Sequence, residues 1–256
     1  MNEDLPHTHL MFVEDLPWRD YVWLLVRIFV AEMIGSAIFI LPGILITTPT
    51  QYEPVVKGIA MGGGLYVAIW ITYPTSGAHI NPIISLIAFL FKNIKLQHLV
   101  FYWIAQLVGA LLCTLIGLNI VPPGSNETFR GMTFPHPEVS ERQAFLVEAL
   151  TTSVLVIVYL ATIDLRRPEN WGLNTGLNMA LPLMFTVIGN AIIAEPTSRG
   201  SMNPFRSLGP AMLHDNYREQ WLYIVGPLAG ALVGSFIHAQ FLGVKSDSSE
   251  EEVGKK

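Results

Sequence analysis

Ser76-Gly77-Ala78-His79-Ile80-Asn81-Pro82 runs into a short apolar stretch, Ile83–Phe91, and Gly200-Ser201-Met202-Asn203-Pro204 runs into another, Phe205–Leu213. Each stretch is too short to cross a bilayer, which takes roughly 20 apolar residues, but long enough for half a crossing. Proline at the first helical position is preorganised for helix, and the donor it lacks is one the helix could not use there. The asparagine before it offers a side-chain oxygen to cap the N-terminus. Both segments therefore read as half-helices that begin at Asn-Pro.

Working outward, six apolar runs surround them: Tyr21–Ile46, Val55–Tyr73, His98–Ile120, Ala144–Ile163, Gly176–Ala194 and Gln220–Leu242. Each meets or approaches the length of a transmembrane helix. The composition agrees, with 51% hydrophobic and only 14% charged residues, against about 25% charged in soluble domains.

The two halves repeat. Ala31-Glu32 matches Val147-Glu148, 116 residues later; Asn81-Pro82 matches Asn203-Pro204 at 122; Gln106–Leu111 matches Pro227–Leu232 at 121. Three helices per half, an odd number, insert the halves with opposite orientation. Inverted repeats of this kind place their sites near the midplane, on broken helices. The expected fold is an all-α membrane protein of six transmembrane helices and two re-entrant half-helices. One domain fills residues 1–256, with repeats at about 21–120 and 144–242 and disordered tails at 1–18 and 244–256. The half-helices should meet near the membrane centre with their positive dipole ends facing each other.

Lys and Arg concentrate in cytoplasmic loops. Arg19, Lys92 and Lys95, Arg166 and Arg167, and Lys245, Lys255 and Lys256 fall on one side if six helices alternate. Arg130, Arg199, Arg206 and Arg218 fall on the other. The bias puts both termini in the cytoplasm. Asn126-Glu127-Thr128 is then an outward-facing glycosylation sequon.

Other classes find no support. No basic patch interleaved with aromatics points to nucleic acid. Cys113 is the single cysteine, which leaves no disulfide framework or cysteine-rich metal site. No triad, phosphate loop or metal cluster stands out, so no catalytic residue, metal or cofactor is expected. The first apolar run is too long for a signal peptide.

The loops Ser76–Pro82 and Gly200–Ala211 resemble the two signature loops of aquaporins, the major intrinsic protein family. The likeness extends over essentially Arg19–Gly243. It implies a passive channel with one pore per chain, assembled as a homotetramer in membrane lipid, with the plasma membrane as the default. Asn81 and Asn203 would point their amides into the pore and donate to a passing oxygen. Arg206 would be the arginine of the outer constriction, completed by Met61, Ala191 and Gly200. Elementary physics supports these roles. An arginine inside a membrane is costly unless it lines water or pairs, and facing helix N-termini oppose cations and protons.

Glu32 and Glu148 sit mid-helix, where an unpaired carboxylate is expensive. Their symmetric placement argues for accepting hydrogen bonds from the two loop backbones rather than for relaying protons. His79 either contacts pore water or is packed and hydrogen-bonded.

Several positions depart from the family pattern. Ala191 stands where water-selective members carry His, and Gly200 adds no bulk. The aperture should therefore be wider and less polar, and should admit glycerol and urea as well as water. This combination resembles the insect entomoglyceroporins. Ser207 stands where ordinary glycerol facilitators carry Asp. Ile83 and Phe205 follow the two Asn-Pro pairs where most members have Ala, and an inward-tilted Phe205 would narrow the midplane. The rival readings are a water-selective aquaporin, a structural or adhesion member with a closed pore, and a coupled transporter using Glu32 and Glu148.

Overall fold

The structure, a computed structural model, describes residues 16–46, 53–120, 130–164 and 176–244. Asn126, Arg166, Arg167 and Lys245 lie outside the described residues, as do residues 1–15 and 245–256. Eight helices follow one another: α1 (Trp18–Leu45), α2 (Glu53–Ser76), α3 (Pro82–Leu90), α4 (Leu96–Ile120), α5 (Glu141–Ile163), α6 (Gly176–Ala194), α7 (Pro204–Leu213) and α8 (Leu222–Ile237). No strand occurs among the described residues.

Six of the helices are spans and two are half-spans. α1, α4, α5, most of α2, and α8 with its extension are long and apolar enough to cross a membrane. α6 has 19 residues, about 28 Å at the usual helical rise. α3 and α7 have nine and ten residues, about half that length.

The boundaries depart from the sequence expectation at both termini. α1 begins at Trp18, directly after Pro17, so residue 18 is helical and does not belong to a disordered tail. Val244 is also tied down, its N–H donating to Asp164 Oδ2 at 3.2 Å. The last span is not one uniform helix. It widens at His238–Leu242 into a π-turn closed by Gly243 N–H on the His238 carbonyl at 2.7 Å.

The packing obeys the inverted repeat. α1 packs on α2 and α4 as α5 packs on α6 and α8, while α2 against α6 and α3 against α7 join the halves. Glycine sets the close crossings. A Cβ on Gly109 of α4 would strike the Met33 carbonyl of α1, and one on Gly230 of α8 would strike the Ala149 carbonyl of α5. Gly109 and Gly230 occupy matching positions in the two halves. Gly58 and Gly62 of α2 meet α6 in the same way, at Ile188 and Ile192.

The distribution of polarity is that of a protein in hydrocarbon. Trp23, Trp70, Ile104, Leu150, Phe185 and Leu232 are exposed, while Glu32, Gln106, Glu148, Asn203 and Arg206 are buried. Apolar residues cover the outside, and the buried polar residues converge on the two loops before α3 and α7.

Candidate functional site

Each half-helix starts on its asparagine. Asn81 Oδ1 accepts from Ile83 N–H at 2.9 Å, and Asn203 Oδ1 accepts from Phe205 and Arg206 N–H at 3.0 and 3.2 Å. The amide nitrogens cross over. Asn81 Nδ2 donates to the Met202 carbonyl at 2.9 Å, and Asn203 Nδ2 donates to the Ile80 carbonyl at 3.0 Å. Each half-helix is thus capped by its own asparagine and latched to the other loop. A side-chain amide has two N–H groups, and the latch uses one.

The loops that deliver these asparagines are strained in the same way. Gly77, Ala78 and Ile80 have φ of 77°, 51° and 56°, and Arg199, Gly200 and Met202 have 62°, 58° and 53°. Left-handed backbone costs roughly 1–2 kcal/mol for a residue with a side chain, so something must hold it. The holders are Glu32 and Glu148, both fully buried.

Glu32 accepts from Ser76 Oγ (2.6 Å), His79 N–H (2.9 Å), Ile80 N–H (2.7 Å) and Gln106 Nε2 (2.8 Å). Glu148 accepts from Ser198 Oγ (2.7 Å), Ser201 N–H (2.8 Å) and Met202 N–H (2.8 Å). Hydrogen bonds to an ionised group are the stronger class, and each carboxylate spends them on consecutive amides of one loop.

A second layer of supports was not singled out from sequence. Tyr102 OH donates to the Ser76 carbonyl, and Tyr223 OH donates to the Ser198 carbonyl at 2.8 Å. The spacings carried the signal: Tyr102 and Tyr223 lie 121 residues apart, and Ser76 and Ser198 lie 122 apart. His79 is packed and hydrogen-bonded. Its ring lies 4.5 Å from that of Tyr102, and Nδ1 is 3.2 Å from Ser85 Oγ. It also lines, with Asn81, Phe39, Leu65 and Tyr159, a cavity of about 30 Å³, room for about one water.

The four residues expected at the constriction fall into two couples. A Cβ on Gly43 would lie 3.4 Å from both Met61 Sδ and Arg206 Nη2, which brings those two side chains together. A Cβ on Gly200 would lie 3.6 Å from Ala191 Cα. Arg206 is buried. Its Nη1 donates to the Gly131 carbonyl at 3.0 Å, and its Nε has no hydrogen-bond partner.

Pro82 and Pro204 occupy the first turns of α3 and α7. Ile83 is buried in the central core and Phe205 is half-buried against the same cluster; neither lines the cavity beside Asn81. Cys113 is buried, with its thiol on the Ala110 carbonyl at 3.2 Å. Among the described residues, no three His, Cys, Asp or Glu side chains gather as metal ligands would.

Two half-helices latched through paired asparagines, inside a bundle with an apolar exterior, define a class of membrane channel. The sequence profile of the Major intrinsic protein family matches residues 21–238. The chain is 30% identical to Aquaporin-4 of Mus musculus over 228 residues, spanning 86% of this chain and 68% of that protein. It is 35% identical to Aquaporin NIP1-2 of Arabidopsis thaliana over 222 residues, spanning 81% and 71%. The X-ray structure of the aquaglyceroporin from Plasmodium falciparum shares the fold, with a TM-score of 0.76 at 23% identity over 85% of this chain and 97% of that one. The chain belongs to the major intrinsic protein family: it is an aquaporin-type membrane channel and not an enzyme.

Proposed function

We propose that this channel passes small uncharged solutes, glycerol and urea among them, as well as water. The observation that carries the reading is the make-up of the aperture. Met61, Ala191 and Gly200 put neither an aromatic ring nor an imidazole beside Arg206. A polyol has a hydrocarbon face and a hydroxyl face. Met61 and Ala191 suit the first, and the Arg206 guanidinium, a donor group, suits the second. Deeper in, the remaining N–H groups of Asn81 and Asn203 receive the solute oxygen, and the facing N-termini of α3 and α7 disfavour cations.

The same aperture supports the likeness to insect entomoglyceroporins, and the structural neighbour from Plasmodium falciparum, an aquaglyceroporin, leans the same way. A homotetramer in the plasma membrane, both termini cytoplasmic and a glycan at Asn126 complete the proposal.

Swelling of proteoliposomes tests it, first in hypotonic buffer and then in isosmotic glycerol or urea. Swelling in all three is the expected outcome. Swelling in hypotonic buffer alone leaves a water-selective channel, and none at all leaves a closed-pore member. Ala191→His should lower glycerol permeability by about tenfold or more while sparing water, because one side chain's worth of fit discriminates solutes on that scale.

A further inference from the structure

One ion pair bridges the two repeats close to the aperture. Lys57 Nζ donates to Glu195 Oε1 at 2.9 Å, across 138 residues of sequence, and both side chains are only 12% exposed. Lys57 lies on α2 one turn before Met61. Glu195 lies one turn beyond Ala191, its N–H on the Ala191 carbonyl at 2.9 Å. Residues four apart share a helix face, so the pair stands directly over the two wall residues of the aperture. The antiparallel register of α2 and α6 agrees, with Gly58 against Ile192 and Gly62 against Ile188.

The glycines of that seam set how closely the helices approach, but its apolar contacts are non-directional and do not hold the helix ends against parting as a paired charge does. Parting a largely buried ion pair would strand two charges away from water. The Glu195 carboxylate also lies within charge–charge range of Arg206.

We propose that Lys57 and Glu195 form a strut between the repeats that sets the width between Met61 and Ala191, and so the size cut-off for solutes. They are positioning residues: they fix the wall and need not touch the solute. The inference rests on the channel reading above and deepens it.

The test is swelling of proteoliposomes in glycerol and in a six-carbon polyol, for the full chain reconstituted at equal amounts. In Lys57→Gln and in Glu195→Gln, the ratio of hexitol to glycerol permeability should rise about threefold or more, since pore diameter governs selectivity. The exchanged pair, Lys57→Glu with Glu195→Lys, should return the ratio to within about twofold of the parent. Restoration by the double variant separates a pairwise interaction from two local effects.

Unchanged ratios in the single variants overturn the strut, and so does a double variant as altered as the singles. If either glutamine variant fails to reach the membrane, Glu195→Asp keeps the charge and draws it back by one methylene. A smaller rise in the same direction supports the strut, and no rise overturns it. A parent chain that passes no solute at all would instead refute the channel reading, so the two failures are distinguishable.

Discussion

Glu32 accepts three hydrogen bonds from loop 76–81 and a fourth from Gln106 of α4, whereas Glu148 accepts three from loop 198–203 and no fourth. The missing donor is that of Gln106, whose counterpart in the second repeat is Pro227, a residue with no side-chain donor. The second loop is propped from another direction. Arg206 Nη1 reaches the Gly131 carbonyl at 3.0 Å, and Thr133 Oγ1 donates to Ser207 Oγ at 2.7 Å. The strained backbone is therefore held by its own repeat in both halves, with the additional prop coming from α4 of the same repeat in the first and from the segment between the repeats in the second. The two halves agree where the backbone must be held and differ at the proposed aperture, where Arg206 corresponds in the repeat to Ile84 of the first half. Symmetry here belongs to the scaffold and asymmetry to the proposed filter.

Removing the carboxylates would break the comparison hardest. Glu32→Ala strands four buried donors and Glu148→Ala strands three, at roughly 1–3 kcal/mol each, against a typical total stability of about 5–15 kcal/mol. Neither variant should yield monodisperse protein after detergent extraction, with the lower yield for Glu32→Ala. Equal yields near the parent's would show that the carboxylates are dispensable.

Next comes the shared helix crossing. Gly109→Ala and Gly230→Ala push a methyl group onto a backbone carbonyl that cannot step aside, and overpacking of this kind costs about 1–3 kcal/mol. Both should melt lower than the parent, whereas Gly63→Ala, with nothing within 4 Å of the added carbon, should not. A drop confined to one of the pair would mean that the repeats do not share this contact.

The smallest effect sharpens the difference itself. Gln106→Ala brings Glu32 down to three donors, the number Glu148 has, and should cost about 1–2 kcal/mol in thermal unfolding. A loss as large as that of Glu32→Ala would make Gln106 more than an auxiliary support.

The spans were legible because about 20 apolar residues have few soluble explanations. The half-helices were legible because Asn-Pro recurs at an offset that the flanking helices also obey. Glu32 and Glu148, 116 residues apart, were legible from their symmetric placement in the first and fourth spans. Tyr102 and Tyr223 went unread because a tyrosine in an apolar helix is ordinary, and only its offset hinted at a shared task. Lys57 and Glu195 were hidden for a deeper reason. Their contact depends on the antiparallel register of α2 against α6, which no local pattern encodes. The start of α1 was missed because Trp18, Arg19 and Asp20 precede the apolar run and turn helical as the first turn after Pro17. The π-turn after α8 left no mark in the apolar pattern.

The crossed amides of Asn81 and Asn203 have a consequence for how the protein is made. The acceptor for Asn81 is the carbonyl of Met202, and the acceptor for Asn203 is that of Ile80. A nascent chain that has threaded its first three spans therefore carries an unspent donor and an unspent acceptor at its most strained point. Both stay open until the ribosome has delivered roughly 80 more residues, from Ile120 to Asn203. The first repeat is a half-finished joint, and the tunnel comes into being only when its mate arrives.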